Sequence, residues 1–176
     1  KVLGREFEYP LLAAVDANGE RTTDPVEVAA RVARANRIVL YVHGIIGDTE
    51  SMAASAFARA PGQSVPPLGD HHDLVLAFDY ENLDTTIQEN GRLLGARLAA
   101  VGLEPGHERT LNVVAHSMGG LVSRWYVERE GGARVVSHLV MLGTPNGGSP
   151  WSTVEDWVAA ALGVGLNRLS LIAWPA

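Results

Sequence analysis

The 176-residue sequence contains no cysteine. That absence removes a disulfide scaffold, a Cys-type zinc site and a thiol nucleophile, and leaves the redox compartment open. Excess positive charge is missing too: 14 Lys and Arg stand against 20 Asp and Glu, a net charge of −6. An electrostatic nucleic-acid binder needs a clustered basic face, so no nucleic-acid partner is expected. The longest apolar run, Val158 to Leu166, falls far short of the ~20 residues that cross a bilayer, so no transmembrane segment is expected either. The start, Lys1-Val2-Leu3-Gly4-Arg5-Glu6, offers no apolar h-region of a signal peptide. It also lacks an initiator Met, so a piece trimmed from a longer polypeptide is expected. No internal repeat or low-complexity tract occurs.

What is present is core material. The apolar fraction is 47% and the charged fraction 19%, the balance of a folded chain rather than a disordered one. At about 100–200 residues per domain, the length fits a single domain, 1–176. Within it, 1–36 reads as an N-terminal hairpin and helix, 37–150 as the core, and 151–176 as a cap or the start of a further part.

Phe7, Tyr9 and Leu11 alternate with Glu6, Glu8 and Pro10, the period of a half-buried strand. Asp16-Ala17-Asn18-Gly19 reads as a hairpin turn, because Asn-Gly tolerates positive φ. Asp24-Pro25 is an N-cap with Pro at the first helical position, opening a helix to about Ala35. Arg37 to His43 is a β-branched apolar run of the kind buried on both faces of a parallel sheet. Gly44 to Gly47 is a loop, and Asp48 or Thr49 caps a short Ala-rich helix. Residues 61–70 are Pro- and Gly-rich loop, and Asp73 to Tyr80 is the next strand. Asp84 or Thr85 then caps a helix carrying Ile87, Leu94, Leu98 and Val101, with Thr85 and Gln88 spaced for a capping box. A strand over Thr110 to Ala115, a helix from Met118 to about Arg129 and a strand over Val135 to Leu142 follow. A last helix runs from Trp151 to about Leu162. Strands alternating with helices predict an α/β fold, a mostly parallel sheet with helices on both faces.

The strongest chemical signal is Ala115-His116-Ser117-Met118-Gly119-Gly120, between a strand and a helix. A nucleophile elbow of the G-x-S-x-G kind occupies that position. Its turn is so sharp that residues two before and two after the Ser must be very small, as Ala115 and Gly119 are. The geometry lifts the Ser117 hydroxyl above the sheet edge at a helix start, where negative charge is favoured. A plain tight turn that carries Ser by chance is the bland alternative. Against it stands a second element, Val42-His43-Gly44-Ile45, at the end of an earlier strand. An elbow hydrolase needs two N–H donors for its oxyanion, one after the nucleophile (Met118) and one from this loop (Ile45). Gly44 lets the chain bend close to the site.

With a third piece, Leu142-Gly143-Thr144-Pro145-Asn146-Gly147-Gly148-Ser149, the sequence resembles the lipase and esterase branch of the α/β-hydrolase superfamily. The Ala-first elbow is similar to that of small Bacillus-type lipases. The Gly-Thr-Pro piece resembles larger bacterial triacylglycerol lipases and the inositol-deacylase relatives. The resemblance runs from about residue 37 to 150. It implies an α/β-hydrolase core and a Ser nucleophile followed in the chain by an acid and a His. A small acyl ester or lipid is the implied substrate, with no metal and no cofactor.

The sequence departs from that pattern after Ser117. The sole later histidine, His138, sits in the strand Val135 to Leu142 and reads as structural. His71, His72 and His107 precede strands, at the edge opposite a site built on carboxyl ends. His116 neighbours the nucleophile but is expected to point away, and His43 belongs to the oxyanion segment. Asp79 faces the right edge as a loop or lid partner, and Asp156 falls in the last helix. The acid and the His are therefore expected outside this chain, which would be truncated at its C-terminus.

The tail holds Trp157, Leu162, Val164, Leu166, Leu169, Leu171, Ile172 and Trp174. It is either a cap over an acyl pocket or a core helix and strand, and as a free end it would favour self-association. Gly44 to Thr49 lacks the P-loop Lys, no G-x-G-x-x-G opens a helix, and no His pair has zinc-ligand spacing. The expectation is a serine esterase or lipase-like hydrolase. Its rival is a non-catalytic binding module of a larger protein, and amide or thioester cleavage would use the same groups.

Overall fold

A hairpin opens the fold. Strands β1 (Leu11–Val15) and β2 (Arg21–Thr22) pair antiparallel around a turn tied by Asp16, whose Oδ1 accepts from Asn18 N and Glu20 N at 2.9 Å each. Gly19 supplies the positive φ of +81° that the Asn-Gly signal predicts. The computed structural model describes residues 9–45, 49–59, 62, 64–81 and 84–148, with the side chains of residues 50 and 51 set aside. Phe7 lies outside that set. Tyr9 and Pro10 form a bend, so the strand sits later than the alternation predicts. Leu11–Val15 is an unbroken apolar run buried almost throughout, between β2 and β4, and alternation is the wrong template for such a strand.

Helix α1 (Pro25–Arg34) starts at Asp24, whose carboxylate accepts from Glu27 N at 2.9 Å. It sends Val28 and Val32 into the core. β3 (Arg37–Val42) is the central strand, buried from Ile38 onward. α2 (Thr49–Ala54), β4 (Leu74–Asp79), α3 (Ile87–Ala100), β5 (Thr110–His116), α4 (Met118–Arg129) and β6 (His138–Leu142) follow, with 3-10 turns at Leu68–His71 and Gly132–Arg134. Six strands form one mixed sheet in the order β2-β1-β4-β3-β5-β6. β4, β3, β5 and β6 run parallel, and β1 lies antiparallel between β4 and β2.

Side-chain alternation along the sheet divides the core. Ile38, Leu40, Val42, Leu76, Phe78, Leu111 and Val113 join α1, α3 and α4 on one face. Val39, Tyr41, Val75 and Ala77 meet Ala53 and Ala56, in and just after α2, on the other. Helices thus cover both faces, in an α/β fold. β6 is the sheet edge among the described residues, with Val140, Met141 and Leu142 exposed.

Two boundaries differ from expectation. The N-cap of α3 is Thr86, not Asp84 or Thr85: its Oγ1 accepts from Glu89 N at 3.2 Å. Asp84 N and Thr85 N are taken by the Glu81 carboxylate, 2.7 Å each, which keeps them in the loop. β6 begins at His138 rather than Val135, because Gly131 turns left-handed and Val135 and Val136 bond back to Gly132 O. His138 is therefore the first residue of an exposed strand. The predicted helix from Trp151, with Asp156 and the apolar tail, lies outside the described residues. By contact the chain divides into two units, Lys1–Thr144 and Pro145–Ala176. In the second, Gly148 N bonds Pro145 O at 3.0 Å.

One carboxylate joins the starts of β3 and β4. Asp73 Oδ2 accepts from Arg37 N at 2.9 Å and Asn36 N at 3.0 Å, and these bonds hold its carboxyl below the ordinary 3.8. A depressed acid stabilises the fold above its unfolded value and stops doing so as pH falls through the folded one. Asp73→Asn is expected to lower the neutral plateau and flatten the acid limb, so that variant and wild type converge as pH falls below about 4. Circular dichroism across an acid titration reads this directly.

Candidate active site

The carboxyl ends of β3 and β5 lie side by side, with Val42 paired to Ala115. From β5 the chain turns at Ser117 straight into α4. Ser117 takes φ 51° and ψ −121°, and among the described residues it alone is a non-glycine residue at positive φ. That conformation costs on the order of 1–3 kcal/mol, so the surroundings must enforce it. They do. Ser117 N donates to Leu142 O at 2.8 Å, tying the turn to the end of β6, and Gly120 N bonds back to Ser117 O at 3.1 Å.

Small residues make the turn possible. A Cβ on Gly119 would collide with His43 O and sit 2.6 Å from Val42 O. One on Gly120 would strike Thr144 Oγ1, with Thr144 Cβ at 2.8 Å. Gly44 faces the serine itself: its Cβ would lie 2.9 Å from Ser117 Cβ. Ala115 is fully buried, and Ser117 and Met118 are each 8% exposed. Met118 is the first residue of α4, where backbone N–H groups have no carbonyl partner within the helix.

The β3 end is fixed from β4. Tyr80 OH donates to His43 O at 2.8 Å, and the two rings stack with centroids 4.5 Å apart. His43 Nδ1 donates to Gly44 O at 2.6 Å and its Nε2 accepts from Tyr80 N at 3.5 Å, so backbone groups engage both ring nitrogens. Burial pushes the Tyr80 phenol well above its usual value, which keeps it a donor at any ordinary pH. Beside it, Asp79 accepts from Thr49 Oγ1, from Thr49 N at 3.3 Å and from the Arg21 guanidinium. Sequence reasoning singled out Asp79 as a loop or lid partner and Thr49 only as a helix cap, and it gave Tyr80 no role beyond ending a strand. The polar pair Asp79-Tyr80, closing an apolar run of Leu, Val, Ala and Phe, was the available signal.

The family described as "Domain of unknown function (DUF7379)" matches residues 12–173. The chain belongs to that family. Solved structures that resemble it include the following three. Bacillus licheniformis lipase BlEst2 in its propeptide form is 23% identical with a TM-score of 0.47, over 71% of this chain and 27% of that one. The mature form of the same lipase is 22% identical at 0.49, over 74% and 51%. ESTFA in its Fe-lacking apo form is 12% identical at 0.46, over 90% and 52%. The chain thus spans about a quarter to about half the length of these proteins.

In this DUF7379 domain all six histidines are described, and none is hydrogen-bonded to Ser117. His116 is exposed, with Nδ1 3.1 Å from where a Gly44 Cβ would stand. His107 bonds Val135 O and Arg109 N at the opposite sheet edge. His72 and His138 both bond Asn112, at 3.0 and 2.9 Å, again near the amino ends of the strands. His71 is exposed in the 3-10 turn before β4. The arrangement therefore brings together Ala115, His116, Ser117, Met118, Gly119, His43, Gly44 and Ile45, and leaves His71, His72, His107 and His138 apart. No helix among the described residues is long and apolar enough to cross a membrane.

Proposed function

We propose that this chain carries the nucleophile of a serine hydrolase with an α/β-hydrolase core, which cleaves a carboxylic or lipid ester through an acyl-enzyme on Ser117. The observation that carries the reading is the positive φ of Ser117 at the β5–α4 turn, enforced by glycines that admit no Cβ. In the proposed reaction Ser117 Oγ attacks the acyl carbon while a His takes its proton. The N–H groups of Ile45 and Met118 hold the tetrahedral oxygen, the alcohol leaves with the proton, and water releases the acid. None of the six histidines is hydrogen-bonded to Ser117, and this reading takes the base, with its acid partner, to be supplied from outside these 176 residues. No metal or cofactor takes part.

Fluorophosphonate labelling and short-chain ester turnover test this, measured on the chain and on the complete natural polypeptide that contains it. The expected result is Ser117-dependent labelling with turnover in the complete polypeptide. Turnover in the 176 residues alone would overturn the external base. One observation favours a second reading, a non-catalytic binding module: among the described residues no histidine is hydrogen-bonded to Ser117. Failure of labelling in both samples would select it.

A further inference from the structure

Residues 43–45 carry one of the two proposed oxyanion donors, so what holds them sets where that N–H points. Adjacent residues at the end of β4 hold both flanks. Strand alternation sends Tyr80 to the face of Phe78 and Asp79 to the face of Ala77 and α2. Tyr80 grips the leading flank through the His43 carbonyl at 2.8 Å and the stacked imidazole. Asp79 grips the trailing flank through the hydroxyl and N–H of Thr49, the first residue of α2. Tyr80 is 2% exposed, Asp79 7% and Thr49 fully buried, so these bonds form away from competing water. Arg21 neutralises the Asp79 carboxylate from β2.

We infer that Asp79 and Tyr80 are positioning residues, a two-point clamp that aims the Ile45 N–H at the developing oxyanion without touching substrate. This rests on the hydrolase reading. It explains why a charged side chain and a phenol are buried at the end of an otherwise apolar strand. A displacement of about 1 Å in such a group can cost about a hundredfold in rate.

The test uses Tyr80→Phe, which keeps the ring and removes the hydroxyl, and Thr49→Val, which keeps the shape and removes the donor. Thr49→Ser is the rescue. In the complete polypeptide, kcat for an ester is expected to fall about tenfold or more with KM unchanged, and Thr49→Ser to restore most of it. Affinity for a boronic acid that mimics the tetrahedral intermediate should fall in parallel. Val32→Ala, in the core under α1, controls for stability: it should lower Tm and leave kcat alone. Amide exchange at Gly44 and Ile45 should accelerate in both clamp variants, a readout that needs no activity. Unchanged exchange overturns the clamp, as does a kcat within twofold of wild type. Losses in kcat that follow Tm as Val32→Ala does would also overturn it. If wild type fails to label at Ser117 while exchange still accelerates in the variants, the hydrolase reading fails and the clamp's catalytic role falls with it, leaving a structural tie.

Discussion

Ser117→Ala is expected to abolish fluorophosphonate labelling and to lower ester turnover of the complete polypeptide by about a million-fold, the loss seen when a serine hydrolase loses its nucleophile. That corresponds to about 8 kcal/mol of transition-state stabilisation. Residual catalysis from the oxyanion donors, on the order of a thousandfold over water, should remain measurable with an activated ester. The fold should not suffer. Ala carries no more bulk than Ser, and only the turn's unusual dihedrals strain it, as they strain Ser. A rise in Tm would fit a site where strain is stored for function. Loss of turnover with retained labelling would move the nucleophile elsewhere.

Gly119→Val should have the second-largest effect, and on stability rather than chemistry alone. The new Cβ would overlap His43 O and press on Val42 O at 2.6 Å, backbone atoms just past and at the end of the central strand. Neither can swing aside as a flexible side chain could, so α4 and β3 must separate. A cost of about 3 kcal/mol or more follows, at the upper end for overpacking. Gly147→Ala is the contrast: nothing lies within 4 Å of its Cβ position, and its effect should stay within about 0.5 kcal/mol. Denaturant melts of the two variants decide the matter. Equal midpoints would mean that the close approach of α4 to β3 is not required.

Much of this was legible because the signals were local. Asp24-Pro25 states its cap and first turn in two residues, and Asn18-Gly19 states a positive φ. The run Ile38 to Val42 is so evenly apolar that a doubly covered strand is its natural home. Errors arose where neighbours compete. Thr85 and Thr86 both precede an acceptable capping residue, and the choice fell to Glu81, whose carboxylate takes the amides of Asp84 and Thr85 first. Gly131 and Gly132 shorten β6 because a 3-10 turn consumes residues that by composition look extended. At the candidate site the serine and its small neighbours were readable from spacing. The grip of Tyr80 on His43 spans 37 positions, and no pattern in a single sequence announces such a pairing.

The sheet order has a consequence of its own. The chain leaves β3 across one face through α2 to β4, then crosses the other face through α3 to reach β5 on the opposite flank of β3. The winding reverses at β3. Wherever a parallel sheet reverses its winding, the connections part in opposite directions and open a crevice above the strand ends. Connectivity alone thus sets the ends of β3 and β5 at the reversal point, before any side chain is chosen. Residues 43–45 and 117 stand at those two strand ends, so exchanging them would alter the groups presented at the reversal point and leave the winding that creates it in place.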